Sequence, residues 1–407
     1  MPVIHFLDVT NRDGVQTART GLSKFGKTMI NFYLGKLGVA QSEAGFPFLF
    51  HEMPYLRANL ALADAGAFGR LRLSGWCRAV PADVERAAPL GLRHYNLSIS
   101  TSDQMIQHKF RGRLDRDAVI AQMTAAVKLA AASGAETIGV NAEDGSRTDD
   151  RFLLDFALAA RQAGADRVRY CDTIGGDSPH RIRERFAKLA SAAAMPVETH
   201  CHNDLGMAVA NSVSGALGDL DAGQDGWVNT CVNGIGERSG NADLISCVLA
   251  FRHGYGVAGR APSGDDLDRS WARRFAWWAS YAFGQPLPQG QPGTGVNAFA
   301  HESGIHADGA LKDRHNYELY DDDTLGPFPA DWHARPGRVV LTGEYGGMAG
   351  FGHVMDALGI EVSDAELTFK LVQLCGSATG RPLTDDELRL IAAYPAELAL
   401  LYPGLLS

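Results

Sequence analysis

His200 and His202, in "ETHCHNDLGMAVAN" (198–211), stand two positions apart at the end of an apolar run and just ahead of a helix-like segment. If that run is a strand, residues i and i+2 project from one face, so both imidazoles enter one space at its C-terminal end. Two imidazoles held that close disfavour protonation and suit a divalent cation as neutral ligands. Further ligands on the same rim are offered by Asp13, in "DVTNRDGVQ", and by Asn241, closing "GIGERSGN". Two histidines with oxygen ligands form a mixed set that fits Zn, Mn, Co or Mg and leaves positions open for a substrate. A pair of hydrogen-bonded core histidines is the competing reading of HxH alone. Cys201, between them, is expected to face the other way as a small core residue.

A shared rim requires a scaffold. Short β-rich runs alternate with Ala/Leu-rich stretches to about residue 260, and the strand expectations are "VIHFLDVT", "VAQSEAGF", "RLSGWCRAV", "HYNLSIS", "ETIGVNAED", "RVRYCDTIG", "PVETHCHN" and "GWVNTCVNG". Between them, "RDAVIAQMTAAVKLAAASG" and "DRFLLDFALAARQAGA" carry helical apolar spacing with a glycine near the end. Eight βα units in this length predict an α/β fold, a TIM (β/α)8 barrel, with a doubly wound open sheet as the alternative. The polar residues closing nearly every strand favour the barrel, whose sites lie at that end. The expected division is a barrel over 1–262, a linker and subdomain carrying "HESGIH" over 263–320, and a mainly helical C-terminal subdomain over 321–407.

Composition narrows the function classes. The chain has 407 residues, 45% hydrophobic and 21% charged, with a net charge of -9, which argues against a general nucleic-acid binder. No run reaches the roughly 18 apolar residues of a membrane span. The start, "MPVIHFLDVTNRDG", lacks a basic n-region and long apolar h-region, so a cytoplasmic location is expected. The six cysteines form no CxxC pair and are expected to be reduced, buried thiols.

Together the motifs resemble the DRE-TIM metallolyase superfamily. "DVTNRDGVQ" is similar to its first-strand motif, "HCHNDLGMAVAN" and "NGIGERSGNADL" to its seventh and eighth, and "AFAHESGIHADGALK" to the subdomain motif of its acetyl-CoA-dependent branch, the isopropylmalate and homocitrate synthases. The resemblance implies a divalent metal (Mn, Mg, Co or Zn) held by Asp13, His200, His202 and Asn241, with acetyl-CoA as co-substrate. It implies that Arg12 stabilises oxygen charge beside the metal and that Thr173 holds the carboxylate of a 2-oxo acid, although Thr173 also reads as an ordinary helix N-cap. It further implies that Glu143 supports the catalytic His306, that Tyr317 partners His306, and that Arg147 meets the distal group of the acceptor. Tyr320 competes with Tyr317 for its place, and His301 is read as structural. A homodimer with exchanged subdomains is implied as well.

Segments such as "NLSISTSDQMIQHKF" and "NAEDGSRTD" look closer to Re-type citrate synthases and to phosphonomethylmalate or phosphinomethylmalate synthases. That likeness implies an acceptor with a second anionic group: oxaloacetate, 3-phosphonopyruvate or phosphinopyruvate. Arg147, Arg78 and His51 are the candidates to meet it. A homocitrate or isopropylmalate synthase, an acyl-CoA lyase of the same superfamily, and a non-catalytic metal-binding protein are the alternatives. The tail departs from the family where "GEYGGMAGFGH" replaces a "GKHSGRHA"-like segment, and it is expected to lack a leucine-sensing domain.

Overall fold

The eight β-rich runs become eight strands in the computed structural model: β1 (Ile4–Asp8), β2 (Gln41–Gly45), β3 (Arg72–Arg78), β4 (His94–Ser100), β5 (Thr137–Glu143), β6 (Arg167–Asp172), β7 (Val197–Cys201) and β8 (Gly226–Thr230). They close into one barrel in chain order, and β1 pairs with β8 in parallel from Ile4↔Gly226 to Asp8↔Thr230. The open sheet is thereby excluded. The structure describes residues 1–260, 264, 267–329, 341–402 and 404, so the expected domain boundary at 262/263 lies outside the described residues.

Seven of the strands are shorter than the runs that predicted them, mostly because the run continues into the rim turn, and β4 matches its run residue for residue. The helices follow from local signals. "RDAVIAQMTAAVKLAAASG" supplies helix Arg116–Ala132 with Asp115 as N-cap, and "DRFLLDFALAARQAGA" supplies Asp150–Ala163, closed by Gly164 at φ 108.

Alternation along the strands sends one set of side chains outward to the helices and the other inward. Val168, Tyr170, Val197 and Cys201 join the large apolar layer under the helices. Cys201 therefore faces away from the histidines, as expected. The inward set is unusual. Barrel interiors are commonly filled by branched apolar residues, whereas here Gln41, Glu43, Arg167, Arg169, Glu198 and Asn229 are buried. Gly139 makes room for them: a Cβ there would lie 2.5 Å from Asn96 Oδ1 and 3.5 Å from the Arg167 guanidinium.

The C-terminal region is helical, with Met348–Ala357, Ala365–Thr379, Asp385–Ala393 and Pro395–Ala399. It is fixed to the barrel side through Asp386, which accepts hydrogen bonds from Tyr33 Oη at 2.7 Å and from Arg274 at 2.5 and 2.6 Å. Thr384 and Glu387 form a capping box at the same point.

Candidate active site

At the C-terminal end of the barrel, ligand atoms of Asp13, His200 and His202 all lie within 4.8 Å of one another. The three come from the turn after β1 and from the end of β7. His202 sits one residue beyond β7, where a bridge to Asn241 on the loop after β8 holds its backbone. Gly236 is needed beside it, because a Cβ there would come within 2.2 Å of the Asn241 amide nitrogen.

Partners decide what the site wants. His200 Nδ1 lies 2.8 Å from Asn229 Oδ1, and its Nε2 lies 3.3 Å from Asp13 Oδ2. Asp13 Oδ1, His202 Nδ1 and Asn241 Oδ1 are buried with no hydrogen-bond partner. Buried polar atoms are rarely left unpartnered, and each orphan costs about 1–3 kcal/mol. Three orphans on neighbouring residues, two of them oxygens, fit a divalent cation.

Electrostatics agree. Burial, and then the neighbouring His200, lower the His202 pKa to about 3, so its ring is neutral near pH 7. Burial would raise the Asp13 carboxyl, but Arg12 and His200 outweigh it and hold the group well below the usual carboxylate range. Both stand ready as ligands. The competing reading, a hydrogen-bonded histidine pair, leaves these orphans unexplained; the rings contact edge to face at 5.0 Å without a hydrogen bond between them.

Arg12 is fastened on two sides. It donates from Nη1 to Asp13 Oδ2 at 2.6 Å and from Nε to Glu43 Oε2 at 2.5 Å, with its guanidinium 5.8 Å from the Trp76 ring centre. Glu43 continues inward to Arg169 Nη1 at 2.9 Å, and Arg169 Nε reaches Glu198 Oε1 at 2.6 Å. Arg167 Nε binds the other Glu198 oxygen at 2.6 Å. Burial raises the Glu198 carboxyl, but Arg169 and Arg167 prevail and bring it to about 2.

Glu43, Arg169, Glu198 and Asn229 are the site residues that motif reading missed. A signal was available: polar and charged residues at alternate positions inside apolar strands, as in Gln41/Glu43, Arg167/Arg169 and Glu198/His200.

The remaining candidates lie on the rim or beyond it. Thr173 Oγ1 accepts from the Asp144 N–H at 2.9 Å, which leaves its hydroxyl hydrogen for a carboxylate. It is not a helix N-cap, since Ser178 fills that place for Pro179–Ala193. Glu143, at the end of β5, accepts from Ser100 Oγ at 2.5 Å and from Lys109 Nζ at 2.6 and 2.7 Å. Lys109 is a further rim residue the motifs did not indicate.

Arg147 is tied to Asp144, with Nη2 at 2.8 Å from its carboxylate, and Arg78 is tied to Asp83 at 2.7 and 2.8 Å. His51 is exposed on the turn after β2, 4.0 Å from Glu52. His306 lies on helix Gly304–Lys312 and stacks on Tyr317 at 4.2 Å, while His301 pairs with Glu318 at 3.1 Å. Tyr320 packs instead on His253 at 5.0 Å. Among the described residues, no hydrogen bond, ion pair or ring contact joins His306 or Tyr317 to Glu143 or to the metal pocket within one chain.

Comparison with known proteins follows the same division. A family model described as HMGL-like matches residues 3–267, and one described as homocitrate synthase post-HMGL domain-like matches residues 294–375. The chain is 51% identical over 402 residues to the citrate (Re)-synthase of Dehalococcoides mccartyi (strain CBDB1), covering 97% of this chain and 96% of that one. It is 36% identical over 387 residues to 2-isopropylmalate synthase 2 of Caldanaerobacter subterraneus subsp. tengcongensis, covering 95% and 94%. An HMG-CoA lyase structure from Acenitobacter baumannii superposes with a TM-score of 0.57 at 17% identity, covering 74% of this chain and 98% of that one, a likeness of fold.

Proposed function

The chain belongs to the HMGL-like family, and on that premise we propose that it condenses acetyl-CoA with an anionic 2-oxo acid, oxaloacetate foremost, to give a citrate-type product and free CoA. The observation that carries this reading is the set of buried, unpartnered ligand atoms of Asp13, His202 and Asn241 beside a fastened arginine. The near full-length relative named citrate (Re)-synthase supports the acceptor.

A divalent ion held by Asp13, His200, His202 and Asn241 would polarise the 2-oxo carbonyl as a Lewis acid, a contribution of roughly several kcal/mol. Arg12, with Nε and Nη1 already engaged by carboxylates, offers its free edge to the oxygen on which charge develops. Thr173 donates its hydroxyl to the acceptor carboxylate. His306 removes a proton from the acetyl methyl group, and the freed electron pair forms the bond to the ketone carbon. The resulting alkoxide takes up a proton, and water cleaves the thioester to release the CoA thiol. Tyr317, stacked on His306, positions that ring.

Because His306 and the pocket make no contact within one chain, the reading includes a homodimer in which residues 304–320 of one copy cover the barrel mouth of the other. Glu143 then meets His306 across the interface. Arg147, Arg78 and His51 ring the same mouth and would receive the acceptor's second anionic group. Six free, buried thiols suit a cytoplasmic setting. Among the described residues no helix is long and apolar enough to cross a membrane.

The test is a thiol-release panel with acetyl-CoA and oxaloacetate, 3-phosphonopyruvate, phosphinopyruvate, 2-oxoglutarate or 2-oxoisovalerate. Fastest turnover is expected with oxaloacetate. Equal or faster release with 2-oxoisovalerate contradicts the dianionic acceptor, and release without any 2-oxo acid contradicts the condensation.

A further inference from the structure

The condensation chemistry gives no role to Asn229, a fully buried amide in the inward row of β8. Its two ends face different kinds of partner. The amide nitrogen donates to Glu198 Oε1 at 2.8 Å, and the amide oxygen lies 2.8 Å from His200 Nδ1. Glu198 is gripped by Arg169 and Arg167, each at 2.6 Å, so it is a carboxylate and can only accept. That fixes the amide: nitrogen toward Glu198, oxygen toward the imidazole. An amide oxygen can only accept, so the hydrogen must be on His200 Nδ1. In the neutral form that a metal ligand must take, the lone pair of His200 is then on Nε2, the atom 3.3 Å from the Asp13 carboxylate. An imidazole lone pair facing a carboxylate oxygen is unfavourable unless a cation or a proton stands between them.

We propose that Asn229 is a positioning residue that sets the tautomer of His200 and so aims Nε2 at the metal position. The inference rests on the metal reading of Asp13, His200 and His202 and extends it inward. Seven side chains form a closed ring: Arg12, Glu43, Arg169, Glu198, Asn229, His200 and Asp13, each bonded to the next except His200 and Asp13, whose Nε2 and Oδ2 face one another at 3.3 Å across the metal position. Asn229 is the neutral link that turns the charge order of the ring into a directed lone pair. An amide does this without adding another negative charge to a barrel interior that already holds Glu43, Glu198 and Asp13. Partners of metal-bound histidines commonly act in this way.

The test has a part that reads the wild-type ring directly. In metal-free, full-length protein labelled with 15N-histidine, long-range 1H–15N correlation should show His200, assigned by its loss in His200→Gln, carrying a proton on Nδ1. A ring protonated only at Nε2 overturns the proposal. The second part is Mn2+ affinity, measured by competition with a fluorescent chelator. Asn229→Ala is expected to bind about 10- to 100-fold more weakly and, in the metal-free correlation spectrum, to lose the fixed placement of the His200 proton on Nδ1. Equal affinity of wild type and Asn229→Ala overturns the proposal. If wild type takes up no Mn2+, the metal reading fails, and the tautomer spectrum still decides the role of Asn229.

Discussion

His200 and His202 are buried among charges that answer one another within a single chain, whereas His306 rides on helix Gly304–Lys312, which buries none of its residues. In the barrel, Arg12, Glu43, Arg169 and Glu198 leave water only because each finds a partner at 2.5 to 2.9 Å. On the helix, Ile305 is 77% and Leu311 is 87% exposed. Covering a large aliphatic side chain is worth about 1.5–3 kcal/mol, so this helix gains by lying against another surface. The contrast teaches that Asp13, His200 and His202 are gathered and buried within one copy, while the helix carrying His306 is left uncovered by its own chain; the proposed division of the site between two copies starts from that difference.

The sharpest way to break that contrast is His306→Ala. Turnover should fall about 10²- to 10⁴-fold, the usual range for a general base, while Mn2+ affinity stays at the wild-type value. A drop in metal affinity of the same size would mean that the two regions are one site.

Mixing two dead variants tests the division between copies. His200→Ala removes the pocket and His306→Ala removes the base. Unfolded and refolded together in equal amounts, they should regain about a quarter of wild-type activity, because half of the dimers are mixed and each mixed dimer has one intact pair. No recovery, with mixed dimers demonstrated by mass, would place both groups in one chain.

A smaller effect separates the regions by pH. The folded pKa of His202 is lowered to about 3, so the unfolded chain binds the proton first. The stability of the metal-free protein therefore falls as pH drops from the unfolded value of about 6.5 toward 3, by at most about 1.4 kcal/mol for each tenfold rise in proton concentration. His202→Gln should flatten that part of the pH dependence of the melting temperature, and His306→Gln should leave it as in wild type.

How much of this was legible in the sequence follows from range. HxH, the Asp-Gly turn after β1 and the alternation of strands are local patterns, and they placed Asp13, His200 and His202 on one rim correctly. The ring behind them is not local: Arg169 meets Glu43 across 126 residues of chain. Period-2 charges within strands gave the only hint. Arg78 and Arg147 add a detail that residue type and position did not show: each is paired in the structure with a near-sequence acid, Asp83 or Asp144, which would orient it toward the proposed anion site. Motif reading identified His306 and Tyr317 as a pair, and their stacking at 4.2 Å agrees; what they act upon lies in no short pattern.

The most direct measurement is an Mn2+ titration of metal-free protein followed by electron paramagnetic resonance, for wild type and His202→Ala. The account predicts one tightly bound ion per wild-type chain, with a signal that changes when a 2-oxo acid is added, and loss of that ion in the variant. No bound ion in the wild type, or the same ion and the same response in His202→Ala, would contradict it.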